Sequence, residues 1–91
     1  MQAEELRSIA LKLVKRNIQE TRNKGLYPGG IDFELAVVWQ CWILGNMKFL
    51  ITSDLPDCKY YEVTYNAERD EFYLDVYVRV HNECSSLDEW E

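Results

Sequence analysis

YYEVTYNAERDEFYLDVYVRV, residues 60–80, is the stretch whose reading decides the fold. Its two arms, 60–66 and 71–80, are rich in β-branched and aromatic residues, and Ala67–Asp70 between them is polar. That is the pattern of a β-hairpin. A four-residue loop sets Tyr65 opposite Phe72, Val63 opposite Leu74 and Tyr61 opposite Val76. All of these fall on one face, and Val78 and Val80 extend the stripe. Side chains alternate along a strand, so a slip of one residue would move the whole set into water; the pattern therefore fixes the register. The other face carries Tyr60, Glu62, Thr64, Tyr73, Asp75, Tyr77 and Arg79.

Upstream, LAVVWQCWILGNMKFLITS (35–53) reads either as a helix capped by Asp32 and stopped at Gly45, or as a second hairpin. We favour two strands joined at Gly45-Asn46, because both residues tolerate positive φ. That turn opposes Leu44 to Met47, Trp42 to Phe49 and Gln40 to Ile51 on one face. On the other it opposes Ile43 to Lys48, Cys41 to Leu50 and Trp39 to Thr52. Both faces are apolar, so both should be covered, one by a helix and the other by a second copy of the chain. Trp39, Ile43 and Leu50 would then form a dimer seam.

The helix is supplied by residues 3–24. Leu6, Ile9, Ala10, Leu13, Val14 and Asn17 follow the i, i+3, i+4 rule, widened by Leu11 and Ile18. Glu4 and Glu5 lie in the first turn, Arg22 and Lys24 in the last, and Gly25 is a natural stop. GLYPGGID (25–32) reads as a loop with a sharp turn; it lacks the lysine and spacing of a phosphate loop. Residues 54–59 form another loop. The tail from Glu83 to Glu91 is acidic and is expected to fray unless something docks on it. The chain of 91 residues is thus one α+β domain: a long N-terminal helix packed on a four-stranded antiparallel sheet of two consecutive hairpins.

The formal charge is −6, unevenly spread. Residues 1–52 carry five acids and seven bases, a balance of +2; residues 53–91 carry eleven acids and three bases, a balance of −8. An acidic half repels a polyanion, so direct nucleic-acid binding is not expected. The tyrosines Tyr60, Tyr73 and Tyr77 form a cross-strand cluster, but Glu62 and Asp75 stand between them where a base-stacking sheet would have Lys or Arg. A protein contact fits better, since tyrosine is enriched at interfaces. Gln40, Gly45 and Asn46 interrupt the longest apolar stretch, so no membrane helix is expected. The charged N-terminus is not a signal peptide, which points to the cytoplasm.

Chemistry finds little support. Cys41, Cys58, His81 and Cys84 are zinc-ligand types, but there is no C-x-x-C and Cys41 lies in an apolar strand. Three cysteines without close spacing fit a reducing compartment. Glu62 and Asp75 face one another and resemble an acid–base pair, yet an exposed site screened by Arg79 or Lys59 would not tune them. No nucleophile, base and orienter set appears, so we expect no enzyme, metal or cofactor.

Val38-Trp39, Leu44 through Asn46 with Lys48, Leu50 and Thr52, Leu55-Pro56-Asp57, Tyr60 through Asn66, and Tyr73-Leu74-Asp75 with Tyr77 carry a resemblance. These residues resemble a family of small uncharacterised proteins encoded by phages and prophages of Gram-positive bacteria. The likeness covers nearly half the chain. The family ends one loop with Pro-Asp-Gly where this chain has Pro56-Asp57-Cys58. The resemblance implies a phage or prophage accessory protein acting inside a bacterium, and it supplies no catalytic or binding residues. The expected function is non-enzymatic binding of a host or phage protein, such as a basic, nucleic-acid-binding complex. One form is an inhibitor of a defence complex of the CRISPR type. The expected contacts are Tyr60, Glu62, Tyr73, Asp75 and Tyr77, with Glu68, Asp70 and Glu71 at the hairpin tip. The alternatives are a structural or regulatory homodimer and a small-ligand-sequestering protein.

Overall fold

Helix α1 spans Ala3–Arg22 in the computed structural model, which describes residues 2–22 and 33–91. Its sequence is dominated by Ala, Leu, Glu, Lys and Arg, the strong helix formers. Glu4 and Glu5 occupy the positive end of its dipole, and the Gln2 carbonyl accepts the N–H groups of Glu5 and Leu6, each at 3.1 Å. Near the other end the Thr21 hydroxyl donates to the Asn17 carbonyl at 2.8 Å. Every fourth residue from Leu6 to Ile18 is buried: Leu6, Ala10, Val14 and Ile18 form one ridge, with Ala3, Leu11 and Leu13 packed beside it. The stop expected at Gly25 and the turn over 25–32 lie outside the described residues.

Four strands follow: β1 (Leu35–Ile43), β2 (Asn46–Ser53), β3 (Lys59–Asn66) and β4 (Glu71–Val78). They lie side by side in chain order, each antiparallel to the next. The strand reading of 35–53 therefore holds over the helical alternative. The second hairpin has the register read from sequence, with Tyr65 opposite Phe72, Val63 opposite Leu74 and Tyr61 opposite Val76. Its loop is pinned by the Asn66 side chain, whose Oδ1 accepts the N–H groups of Glu68 and Arg69 at 3.0 and 3.2 Å. The stripe ends sooner than expected. Val78 closes β4 and Val80 lies beyond it, and both are exposed.

The first hairpin corrects the expected register. Its turn is Leu44-Gly45, both at positive φ (50° and 81°), so Ile43 pairs with Asn46, Trp42 with Met47 and Gln40 with Phe49. Two positive-φ residues give the turn whose twist suits a two-residue hairpin, and Leu44 meets that need while projecting into water. Between Val37 and Trp39 the register shifts: Val37 faces Ile51 but Trp39 faces Leu50. The extra residue, Val38, is a bulge that reverses the alternation. Leu35 and Val37 consequently lie on the helix side, and Trp39, Cys41 and Ile43 on the other.

The core lies between α1 and one face of the sheet. Met47, Phe49, Ile51, Tyr61, Val63 and Tyr65 from the two central strands are buried against the helix ridge. Phe72 and Leu74 of β4 and Leu35 and Val37 of β1 complete it from the flanks. The helix touches all four strands, and the smallest extent of the molecule, 18 Å, is that of two layers. Among the described residues of the single chain no layer covers the second face, so the cover that the composition of the first hairpin implies on that side is not supplied by them. In the tail, expected to fray, Leu87–Trp90 form a 3-10 turn, η1.

Cys58 stands at φ 57° in the β2–β3 loop, a backbone conformation that favours glycine. An L-residue with a side chain pays about 1–2 kcal/mol for that conformation. Its carbonyl accepts the Arg79 N–H at 3.0 Å, a bond that glycine would keep. Cys58→Gly is therefore expected to stabilise the protein by about 1 kcal/mol, read as a higher urea midpoint at unchanged slope. A lower midpoint would contradict this reading of the loop.

Candidate functional site

The uncovered face is a grid set by the strand registers. One row across it is Ala36, Thr52, Tyr60 and Tyr77; the next is Trp39, Leu50, Glu62 and Asp75; the third is Cys41, Lys48, Thr64 and Tyr73; the last is Ile43, Asn46, Asn66 and Glu71. Antiparallel pairing brings direct neighbours in a row to within side-chain contact. The Tyr60 and Tyr77 rings stack with centroids 4.9 Å apart and planes 14° from parallel. Trp39 is 49% exposed, Tyr73 47% and Tyr77 40%, so large aromatic surface is left in water on ordered strands.

The centre of the face is an ion pair. The Lys48 ammonium donates to Glu62 Oε1 at 3.0 Å, and both side chains are partly shielded. That hydrogen bond, then the carboxylate's charge, holds the Lys48 pKa above its ordinary value. Glu62 also faces Asp75 across β3–β4, as expected from sequence. The negative charges of Glu62 and Asp75 push the Tyr77 phenol pKa up from its ordinary value. The Tyr73 hydroxyl donates to Glu71 Oε2, and that bond raises the Tyr73 pKa.

The structure thus brings together Tyr60, Glu62, Tyr73, Asp75, Tyr77 and Glu71 on one face. Trp39, Ile43 and Leu50 share that face, with Trp39 directly opposite Leu50. The apolar group and the tyrosine–carboxylate group are two ends of one surface, with Lys48 and Glu62 between them. The hairpin tip divides. Glu68 is exposed, whereas Asp70, at φ 54°, accepts the Tyr65 hydroxyl at 2.5 Å; Tyr65 is a core residue on the opposite face. This bond raises the Tyr65 pKa and turns Asp70 away from the acidic cluster. Sequence reasoning overlooked Lys48 as the partner of Glu62 and assigned that screening to Arg79 or Lys59. The Arg79 guanidinium lies instead 3.5 Å from Cys58 Sγ, and Lys59 shares the core side of β3 with Tyr61. Strand parity carried the signal: Lys48 is two residues from Leu50 and therefore on its face.

The zinc-ligand types are scattered. His81 Nε2 lies 3.3 Å from Glu83, Cys41 is in β1 and Cys58 is in a loop. Among the described residues no group of three or more His, Cys, Asp or Glu side chains is placed to hold a metal ion. Among the same residues no helix is long and apolar enough to cross a membrane.

An N-terminal helix laid on one face of a four-strand meander, with the other face aromatic and uncovered among the described residues, defines an α+β protein with an open sheet surface. The chain belongs to a family of unknown function, DUF6275, whose match runs over residues 7–87 and so takes in most of the helix, all four strands and the tail as far as Leu87. No curated protein and no solved structure matches it.

Proposed function

We propose that the protein is a non-enzymatic binding protein of phage or prophage origin, working in the bacterial cytoplasm by docking its open sheet face on a host protein. The observation that carries this reading is the face itself. Trp39, Tyr60, Tyr73 and Tyr77 are rigid aromatic anchors on paired strands, with no covering layer among the described residues. Interfaces draw most of their energy from such residues. The balance of −8 over residues 53–91 selects a basic partner, and a groove that normally holds nucleic acid has that chemistry. An inhibitor of a nucleic-acid-handling defence complex, of the CRISPR type, is the form of the proposal that uses both features. The origin rests on the likeness of Tyr60–Asn66 and its companion segments to phage and prophage proteins.

The test is capture from a nuclease-treated bacterial lysate, with partners identified by mass spectrometry. Glu62→Lys with Asp75→Lys is expected to weaken retention of a basic partner at least about tenfold. Glu20→Lys, on the exposed side of α1, is expected to leave it unchanged. Equal retention by the double variant would remove the charge-mimic reading.

The pairing of Trp39 with Leu50, beside Ile43, favours a second reading, in which the open faces of two copies meet. Trp39→Ser would then abolish a dimer seen by sedimentation, whereas a monomer at all concentrations counts against it.

A further inference from the structure

Between α1 and the start of β1 lies a groove of about 310 Å³. Leu11, Phe33 and Leu35 line its apolar part; Ser8, Lys12 and Lys15 line the rest. An apolar seat beside two ammonium groups suits a large apolar side chain flanked by carboxylates.

The far end of the same chain has that form. In η1 the Trp90 indole N–H donates to Ser85 Oγ at 3.0 Å, and the Glu89 N–H donates to the Ser86 carbonyl at 3.2 Å. The turn is therefore held, and its three-residue period brings Leu87 and Trp90 to the same side. Both are nonetheless in water, 71% and 77% exposed. Asp88, Glu89 and Glu91 surround them, and no Lys or Arg follows Arg79. An ordered, exposed indole set among acids is an anchor without a seat, and the groove is a basic seat that none of the described residues occupies. They lie at opposite edges of the sheet: the groove borders β1, and the tail leaves from β4 with every side chain beyond Val78 exposed. The tail's place in the structure is thus clear of its own groove.

We propose that the C-terminal turn of one copy docks in the α1–β1 groove of a second copy, Trp90 on Leu11, Phe33 and Leu35 and its flanking carboxylates on Lys12 and Lys15. Each copy carries both halves of the contact, so two copies that exchange tails close a two-fold dimer. The contact uses only Leu35 on the helix side of the sheet, which leaves the open face free for the partner proposed above.

Sedimentation velocity across a concentration series tests this at low and high salt. The wild type is expected to self-associate, less strongly at high salt. Trp90→Ala, Lys12→Glu with Lys15→Glu, and Asp88→Lys with Glu89→Lys are each expected to weaken association at least about tenfold. All these side chains are at the surface, and unchanged helical circular dichroism verifies that each variant is folded. The decisive sample is an equimolar mixture of the two double variants. Each repels itself, whereas the mixture pairs acidic groove with basic tail and basic groove with acidic tail, and is expected to regain association. A wild type that stays monomeric, a Trp90→Ala variant that associates normally, or a mixture that fails to associate would each overturn the proposal. Loss of association on Trp39→Ser with none on Trp90→Ala would assign the contact to the open face instead, and would likewise overturn it.

Discussion

Phe49→Ala is expected to destabilise the protein by about 3–5 kcal/mol, the usual cost of truncating a fully buried aromatic side chain. Phe49 is wholly inaccessible and sits in the central row of the core face, between Gln40 on β1 and Val63 on β3, beneath the helix ridge. The core is only one layer of side chains deep, so little stands behind Phe49 to collapse into the space it leaves. Small domains have a total stability of about 5–15 kcal/mol, so this one substitution removes a large share of it. With a urea slope of about 1–3 kcal/mol/M, the unfolding midpoint should fall by at least about 1 M. Ile43→Ala on the open face is the matched control and should change stability by no more than about 0.5 kcal/mol. Similar losses for the two would mean that the sheet buries both faces, contrary to the architecture described.

Trp39→Ala and Tyr77→Ala are expected to do the opposite, preserving the fold while each weakens partner binding by about 2 kcal/mol, close to thirtyfold. The two residues stand at the apolar and acidic ends of the open face, on β1 and β4. Tyr77 is also the edge-strand member of a pair: its ring is stacked on Tyr60 of β3, and its phenol, protonated at neutral pH like any tyrosine, can donate to a partner's acceptor. Trp39 offers the larger apolar surface and is placed there by the bulge at Val38. Titration calorimetry with the captured partner reads both losses. Full affinity in both variants would move the binding surface off this face.

Much of this was legible in the amino-acid sequence, and the reasons differ by segment. Tyr61, Val63, Tyr65, Phe72, Leu74 and Val76 alternate without a break, so one turn length satisfied all of them and the β3–β4 register followed. Leu44-Gly45-Asn46 offered two turns. Propensity favoured Gly45-Asn46, since Leu is a poor choice for positive φ, yet the chain turns at Leu44-Gly45. Ladder pairing and the bulge at Val38 override the local preference, and neither is visible in residue type. The tyrosine–carboxylate face was legible from strand parity alone. That none of the described residues covers it was not, because apolar residues on both sides of β1 and β2 suit a hairpin covered within the chain equally well. The Lys48–Glu62 pair depends on β2 lying beside β3, a long-range fact. The ordered turn at Leu87–Trp90 rests on Ser85 and Ser86 as hydrogen-bond partners, a signal too short for periodicity to register.

Hydroxyl-radical footprinting of the free chain and of its complex with the captured host protein tests the central claim most directly. It should be run at a concentration where the free chain sediments as a monomer. Trp39, Tyr73 and Tyr77 should be oxidised readily in the free chain and protected in the complex, while Trp42, exposed on the opposite face of the same strand, stays reactive in both. Protection of Trp42 with Trp39, Tyr73 and Tyr77 unchanged would place the partner on the other side of the sheet and contradict the account.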